Sequence, residues 1–167
     1  AGAPARVMRV SCTGELSYES NVPARHGRAL WDALCAAGAD HDITPLGTEA
    51  LHVLRAEKGY IAVGHETDGT VNPFDLGLER LVNMKKVDFL GKRGLMRADN
   101  VRPGRRQLVG LVTDDPWRVV NEGSQIVHDK LAHRLDRTPV PMAGFVTSSY
   151  MSATLGRSIA LALVEDG

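Results

Sequence analysis

Two glutamates in the first twenty residues are the side chains whose type and spacing could do chemistry. They lie in the segment Thr13-Gly14-Glu15-Leu16-Ser17-Tyr18-Glu19. In an extended strand Glu15 and Glu19 share one face and Leu16 and Tyr18 the other, because successive side chains alternate. An ionised carboxylate has two acceptor oxygens, so it can bind a pair of neighbouring donors in a bidentate manner. Solvated carboxylates on an edge strand are the alternative, which the pattern alone favours.

The sequence carries no other arrangement typical of catalysis or metal binding. No glycine-rich phosphate-binding loop follows a predicted strand, and Gly-x-Ser-x-Gly does not occur. The histidines show no metal-ligand spacing with a third ligand nearby; they are His26, His41, His52, His65, His128 and His133. We expect the loop residues His41 and His65 to be solvated. Thr147, Ser148 and Ser152 could line a hydroxyl-rich site, but a polar turn between strands is the favoured interpretation.

Composition and charge argue against several classes of partner. Lysine plus arginine number 20 and aspartate plus glutamate number 20, so neither nucleic acid nor an anionic membrane is expected as a partner. No apolar run approaches the length of a membrane span, and the first residues do not resemble a signal peptide. Cys12 and Cys35 form no Cys-x-x-Cys motif, and such cysteine usage is typical of a reduced, cytoplasmic protein. Because an apolar run begins almost at the first residue, we expect a piece of a longer protein.

The first hundred residues read as mixed helix and strand. The predicted elements are strands over Arg6–Cys12, Leu16–Val22 and Tyr60–Val63, and helices over Pro23–Ala37, Leu46–Glu57, Asn72–Leu81 and Asp88–Arg97. Thr44 is a plausible N-cap for the second of these helices. In the first helix Trp31 and Cys35 lie on the apolar face, and we expect both to pack in the core.

The period of the pattern changes after a cluster of proline, glycine and charge at Asn100–Arg106. Beyond it short strands are predicted over Leu108–Thr113, Gln125–His128, Ala143–Ser148 and Ser158–Val164. The basic and polar stretch Asp129–Thr138 is predicted to be an exposed loop. We therefore divide the chain into residues 1–103, with helices and a partial sheet, and residues 104–167, a small antiparallel sandwich or barrel.

Several segments together carry a resemblance to a known family. They are Thr13–Glu19, Leu54–Tyr60, Asn72–Leu78, Asp88–Lys92, Gly144–Ser148, Ser152 and Ile159–Ala162. Their order and spacing resemble the aminomethyltransferase family, which includes the glycine-cleavage T-protein, dimethylglycine and sarcosine dehydrogenases, and the alpha subunit of heterotetrameric sarcosine oxidase. The resemblance spans nearly the whole chain. It implies an α+β fold: the C-terminal part of a T-protein-like folate-binding domain over 1–103, then a C-terminal β-barrel domain over 104–167.

The resemblance also implies a folate-binding residue. The family uses the glutamate at the position of Glu19 to accept hydrogen bonds from the 2-amino group and ring N–H of a pterin, whereas Glu15 is expected to be solvated. The segment Gly47–Gly59 looks most like the alpha subunit of sarcosine oxidase. The T-protein has an arginine that helps to bind folate where this chain has Leu51, and that contact is therefore in doubt here.

In the complete enzyme that the resemblance implies, sarcosine is oxidised at a flavin elsewhere, and tetrahydrofolate captures the one-carbon unit as 5,10-methylenetetrahydrofolate while glycine is released. FAD, FMN and NAD would belong to other regions, the partners would be the other sarcosine oxidase subunits, and the family's catalytic aspartate has no counterpart in these residues. The chain alone is then expected to be inactive. Two alternatives stay open: a stand-alone aminomethyltransferase of the glycine-cleavage system acting with a lipoyl carrier protein, and a folate-fold module used only for subunit docking.

Overall fold

The structure, a computed structural model, describes residues 2–128 and 139–167. A two-stranded ribbon comes first, followed by two helices of ten or more residues, a region of turns and short helices, and a four-stranded sheet. Helices and antiparallel strands are both present, and the predicted α+β class is confirmed.

The N-terminal ribbon is shorter than predicted. Strands β1 (Arg6–Met8) and β2 (Glu19–Asn21) pair antiparallel, with Met8 opposite Glu19. The residues between them form bends, and the Ser17 hydroxyl donates to the Val10 carbonyl at 2.5 Å. Side-chain bonds of this kind to the backbone are typical of bends and turns.

Helix α1 (Gly27–Gly38) follows a short 3₁₀ turn and confirms the predicted helix. The expectation that Trp31 and Cys35 pack in the core is wrong. Trp31 is 53% exposed, Cys35 is half-buried, and no residue of α1 is buried. The physical reason is that none of the elements described in the structure covers the apolar face of this helix.

Helix α2 (Thr48–Glu57) begins later than predicted. Thr44 does not cap it, because its hydroxyl donates to the Asp42 carbonyl instead, at 3.2 Å. The first helical bond runs from the Leu51 N–H to the Gly47 carbonyl. The N-cap position is instead occupied by Gly47, whose backbone is extended with φ −95° and ψ 177°.

The region from residue 60 to residue 101 contains less regular structure than predicted. Only an isolated bridge between Val63 and Thr67 represents the predicted strand. Three short helical pieces replace the two predicted helices: a 3₁₀ turn at Glu79–Leu81, α3 (Lys92–Leu95) and α4 (Ala98–Val101). The side chains of Asn72 and Asp88 accept bonds from the N–H groups of Phe74 and Phe89, at 2.8 and 2.9 Å. Such local bonds stabilise turns at the expense of helices.

A four-stranded antiparallel sheet forms the C-terminal part, in the order β3-β6-β5-β4. Its strands are β3 (Arg106–Val112), β4 (Gln125–Ile126), β5 (Gly144–Ser152) and β6 (Arg157–Glu165). Strands β5 and β6 are longer than predicted, and Gly144 is required where they begin to pair, since a Cβ there would lie 2.3 Å from the Leu163 carbonyl oxygen. The predicted loop over Asp129–Thr138 lies outside the described residues.

The hydrophobic core joins helix α2 to the sheet. Ala56 of α2 packs with Ile159 and Leu161 of β6, and the half-buried Leu108 and Tyr150 flank this cluster. Alternation along β6 places bulky side chains on one face and small ones on the other: Ile159, Leu161 and Leu163 alternate with Ser158, Ala160 and Ala162, all of them buried. Residues on both sides of the predicted boundary near residue 103 therefore share one core, and the division into two domains stays a prediction.

Candidate functional site

Glu19, the predicted folate-binding residue, lies on the ribbon at the start of β2. It pairs with Met8 across the ribbon and is exposed. Neither a hydrogen bond nor an ion pair engages its carboxylate among the residues described in the structure. Both carboxylate oxygens are therefore available to an external pair of donors.

Glu15 has a different environment, and its predicted place on the same strand face is wrong. It lies in the bends before β2, where its carboxylate forms an ion pair with Lys58 Nζ at 3.0 Å. Gly14 adopts φ +81°, and its Cα faces the Lys58 side-chain stem. The bend is therefore fastened to the C-terminal end of α2, and Glu15 serves as a surface contact.

The largest buried polar arrangement links α2 to the turn after it. Arg55 and Glu66 are 3% and 1% exposed, and Arg55 Nη1 lies 2.6 Å from Glu66 Oε2. The same oxygen accepts the Ala62 N–H at 2.8 Å, and Arg55 Nη1 also donates to the Tyr60 carbonyl at 3.2 Å. A buried charge pair is stabilised where further hydrogen bonds satisfy both partners, and these contacts satisfy the Glu66 carboxylate. The Nε of Arg55 is buried and has no hydrogen-bond partner among the described residues.

Strand β5 completes this arrangement with two neighbouring hydroxyl groups. Thr147 and Ser148 donate to Glu66 Oε1 at 3.0 and 2.5 Å, and Arg55 Nη2 donates to Ser148 Oγ at 2.6 Å. Successive strand residues normally face opposite ways, but a β-bulge between Val146 and Ser148 lets both hydroxyls reach one carboxylate. The predicted polar turn at Thr147 and Ser148 is wrong, because the strand continues through them and Glu66 satisfies their hydroxyls inside the core.

The protonation of Glu66 follows from this environment. Burial by itself raises the pKa of the carboxyl group, but the bonds from Ser148 and the Ala62 N–H, the charge of Arg55 and the bond from Thr147 together lower it below its ordinary value of 4.5. Glu66 is therefore ionised at neutral pH, and its contacts are those of a charged structural link rather than of a proton donor.

Glu57, at the last residue of α2, holds the hairpin between β5 and β6. Its carboxylate accepts the Ser152 hydroxyl at 2.5 Å and the Thr154 hydroxyl at 2.9 Å. The hydrogen bond from Ser152 is the main cause that lowers the pKa of Glu57. Ser152 is fully buried and is part of this anchor, so Glu57 makes a specific contact with the hairpin.

A second ion-pair network fastens the segment predicted to be a boundary. Arg105 donates to both carboxylate oxygens of Asp75, at 2.7 and 2.5 Å, and to Asp99 Oδ2 at 3.1 Å. A recess of about 400 Å³ opens beside it, with the Arg106 guanidinium 5.6 Å from the centre of the Phe145 ring. Its charged lining is mixed, with Asp68, Asp75, Asp99 and Glu165 near Arg102, Arg105 and Arg106. This balance favours neither an anionic nor a cationic ligand.

Residues of the Arg55–Glu66 and Asp75–Arg105 networks were not singled out as polar sites from the sequence. A signal existed for Arg55, because a charged residue directly beside Ala56 on the buried side of α2 requires a partner. No local pattern identifies Glu66 as the partner of Arg55, or Asp75 as the partner of Arg105. The tertiary fold brings the two residues of each pair together.

Two kinds of site are absent from the described ranges 2–128 and 139–167. No three histidine, cysteine, aspartate or glutamate side chains are arranged to hold a metal ion. No helix there has the length and apolarity that crossing a membrane requires.

Comparison with known proteins bears on the whole chain. The family model described as GCVT N-terminal domain matches residues 1–86, and the one described as Glycine cleavage T-protein C-terminal barrel domain matches residues 106–167. The chain is 48% identical to "Sarcosine oxidase subunit alpha" of Corynebacterium sp. (strain P-1) over 99% of its own length and 17% of that protein. It is 38% identical to "Aminomethyltransferase" of Cutibacterium acnes over 98% of its length and 41% of that protein.

A solved structure gives the same picture of the fold. The crystal structure of glycine cleavage system aminomethyltransferase T from Bartonella henselae superposes with a TM-score of 0.80 at 23% identity, covering 96% of this chain and 41% of that one. At that identity the likeness concerns the fold alone. The chain thus spans less than half the length of the relatives that it matches, and about a sixth of the sarcosine oxidase subunits.

Proposed function

The chain belongs to the glycine cleavage T-protein family, and from this premise we propose that it is the folate-binding part of a sarcosine oxidase alpha subunit. The observation that carries the proposal is the 48% identity, across 99% of the chain, to a sarcosine oxidase subunit alpha. Three aminomethyltransferases that align with almost the whole chain are 36% to 38% identical to it, which favours the sarcosine oxidase branch over a stand-alone aminomethyltransferase.

Glu19 suits the hydrogen-bond donors of a pterin, whereas Leu51 cannot make the contact that the arginine of the T-protein makes at this position. The exposed Glu19 carboxylate, with no partner in the described part of the chain, matches the adjacent amino and N–H donors of the ring. At the position where the T-protein has a folate-binding arginine, α2 carries the half-buried, apolar Leu51. In the proposal Glu19 therefore supplies the directional contact to folate, and no charge comes from position 51.

Tetrahydrofolate, when bound, accepts the one-carbon unit from sarcosine demethylation as 5,10-methylenetetrahydrofolate, with glycine as the other product. The role of Glu19 is to bind and orient the pterin. The buried Arg55–Glu66 pair and the sheet hold α2 in place, and the exposed Glu15–Lys58 pair adds only a weak contact between α2 and the ribbon. We propose that oxidation takes place outside this chain, with FAD, FMN and NAD in other parts of the complex. The proposed partners are the other sarcosine oxidase subunits, and the proposed location is the cytoplasm.

The test is folate binding by two matched variants in the enzyme assembly that contains this chain. Glu19→Gln turns one acceptor oxygen into a donor and removes the charge, so one of two pterin bonds is lost. A charge-assisted bond contributes about 1.5–3 kcal/mol, so calorimetry with a reduced folate should give an affinity roughly tenfold to a hundredfold weaker. Glu15→Gln, whose carboxylate faces Lys58, is the control and should bind folate nearly as the parent does.

Product analysis separates folate binding from the redox chemistry. Glu19→Gln should oxidise sarcosine at the parental rate while more of the carbon leaves as free formaldehyde. The purified chain by itself should show no flavin absorbance and no sarcosine oxidation. If Glu19→Gln binds folate as tightly as the parent, the ribbon is scaffolding and the docking-module alternative is preferred. One-carbon transfer from a lipoyl carrier protein would instead favour the stand-alone aminomethyltransferase.

A further inference from the structure

Three side chains at the junction of α2 and the sheet play no part in the proposed folate chemistry. The imidazole rings of His52 and His65 have their centres 5.3 Å apart, with an angle of 51° between their planes. His65 Nδ1 lies 2.9 Å from Glu122 Oε1. Two histidines in contact, one of them bound to a carboxylate, are a combination found in metal sites.

The distance between the rings suits a shared cation. Zinc binds imidazole nitrogen at about 2.0–2.1 Å in tetrahedral geometry, which places the centres of two ligating rings roughly 5 Å apart. The centres of His52 and His65 are 5.3 Å apart. The spacing of the two rings therefore matches that of two imidazoles that bind one ion.

Glu122 orients the imidazole ring of His65 through its Nδ1 atom. An ionised carboxylate only accepts hydrogen bonds, so Nδ1 of the neutral imidazole carries the proton and donates it. The lone pair of Nε2 is then free to coordinate a cation. Carboxylates that orient metal-binding histidines act in this way, and they raise the basicity of the ligating nitrogen.

The backbone that carries these residues is fixed by bonds already described. His52 lies three residues before Arg55 on α2, and His65 directly precedes Glu66, so the buried 2.6 Å pair fastens both segments together. The turn that bears Glu122 is held by the Gly123 N–H, which donates to the Val146 carbonyl at 2.8 Å. The three side chains therefore extend from a preorganised frame, which lowers the ordering cost of binding.

We propose that His52 and His65 form a two-imidazole site for a divalent transition cation such as Zn²⁺, with Glu122 as the positioning residue. The described ranges bring no third protein ligand to this point, so water completes the coordination. A recess of about 230 Å³, lined in part by His65, Asp68 and Glu122, opens on the His65 side of the pair. Imidazole suits Zn²⁺, Cu²⁺ and Ni²⁺ rather than hard cations such as Mg²⁺. A bound ion would clamp α2 to the turn before the sheet.

Calorimetric titration with Zn²⁺ tests the site, with Mg²⁺ as the hard-cation control. His52→Asn and His65→Asn should each weaken Zn²⁺ binding at least about tenfold, and Glu122→Gln by about tenfold or more. The control is His26→Asn, since His26 Nε2 already accepts a bond from Arg25 Nε at 3.1 Å.

Thermal unfolding gives a second measurement, in which the Tm of each protein with Zn²⁺ is compared with the Tm of the same protein without it. A variant that is less stable by itself therefore does not affect the comparison. Saturating Zn²⁺ should raise the Tm of the parent and leave the Tm of His52→Asn/His65→Asn unchanged. The proposal is overturned if the parent shows no Zn²⁺ binding up to millimolar concentration. It is equally overturned if the double variant binds Zn²⁺ as tightly as the parent, which would place the ion on other residues.

Discussion

The stretch from residue 2 to residue 54 and the stretch that begins at Arg55 differ sharply in how they are stabilised. No residue of the first stretch is buried. In the second, strands β5 and β6 are buried along most of their length and surround an ion pair that is almost inaccessible to water.

The difference shows that a segment of this chain can form regular secondary structure without being packed in a hydrophobic core. Helix α1 has twelve residues and a clear amphipathic pattern, yet its apolar face has no partner among the described residues. Helices of this length are marginal without tertiary packing. Helix α2 has ten residues and is held by Ala56, Arg55 and Glu57 against the sheet. Substitutions in the two stretches should therefore have very different effects on stability.

The largest expected effect follows from breaking the buried ion pair. Glu66→Gln leaves Arg55 charged, buried and without its counter-ion, so the free energy of unfolding should fall by about 3–5 kcal/mol. The control is Asp32→Asn in the exposed Arg28–Asp32 pair of α1, for which a change within about 0.5 kcal/mol is expected. Urea denaturation measures both, and equal effects would contradict the contrast between the two stretches.

A matched pair of leucine truncations gives the next largest difference. Leu161→Ala leaves a cavity beside Ala56 and Ile159 and should cost about 2–5 kcal/mol. Leu34→Ala, at a residue of α1 that is 48% exposed, should change stability by less than about 1 kcal/mol. A large loss for Leu34→Ala would reveal that a partner surface covers α1 in solution.

The anchor between α2 and the hairpin should contribute a smaller amount. Ser152→Ala removes the hydroxyl that donates to Glu57 and that accepts the Leu155 N–H at 2.9 Å. Loss of a bond to a charged group should lower the free energy of unfolding by about 1.5–3 kcal/mol. Ser152→Cys, similar in size, separates the loss of the hydrogen bond from the loss of volume. If Ser152→Ala is as stable as the parent, the hydrogen bond to Glu57 does not stabilise the hairpin.

The smallest expected effect is a decrease in the free energy of unfolding as the pH falls. The pKa of Glu66 is lowered on folding, so its contribution is fully present above the ordinary value of 4.5 and is lost as the pH falls through the lower folded-state pKa. Stability measured from pH 6 downwards should therefore decline less in Glu66→Gln than in the parent. Parallel curves for the two proteins would show that Glu66 does not titrate with unfolding.

Periodicity located the elements of this fold better than it located their environment. The pattern places α1, α2 and the strands of the sheet close to their observed bounds, because apolar residues in an amphipathic segment recur with the period of its helix or strand. It fails for the helices predicted over Asn72–Leu81 and Asp88–Arg97. There, short polar side chains bond to nearby backbone and favour turns over the helix that the apolar spacing suggests.

Burial and polar partners depend on contacts between distant residues, which no local pattern records. Trp31 has the spacing of a core residue but is half exposed, while Ser148 has the composition of a turn but is completely buried. For the candidate site, sequence similarity indicated Glu19, and the structure adds that its carboxylate is exposed while that of Glu15 is paired with Lys58. The folate role of Glu19 stays a prediction until binding is measured.

The bonds around Glu66 also constrain the order of events during synthesis of the chain. Arg55 and Ser148 are 93 residues apart in sequence, and Glu66 and Thr147 are 81 residues apart. Helix α2 leaves the ribosome long before β5 exists, so the charges of Arg55 and Glu66 must stay hydrated until that strand emerges. Contacts between such distant residues form slowly. A nascent chain stalled before residue 147 should therefore expose α2 to chaperones and proteases, and protection of this junction should appear only after β5 has emerged.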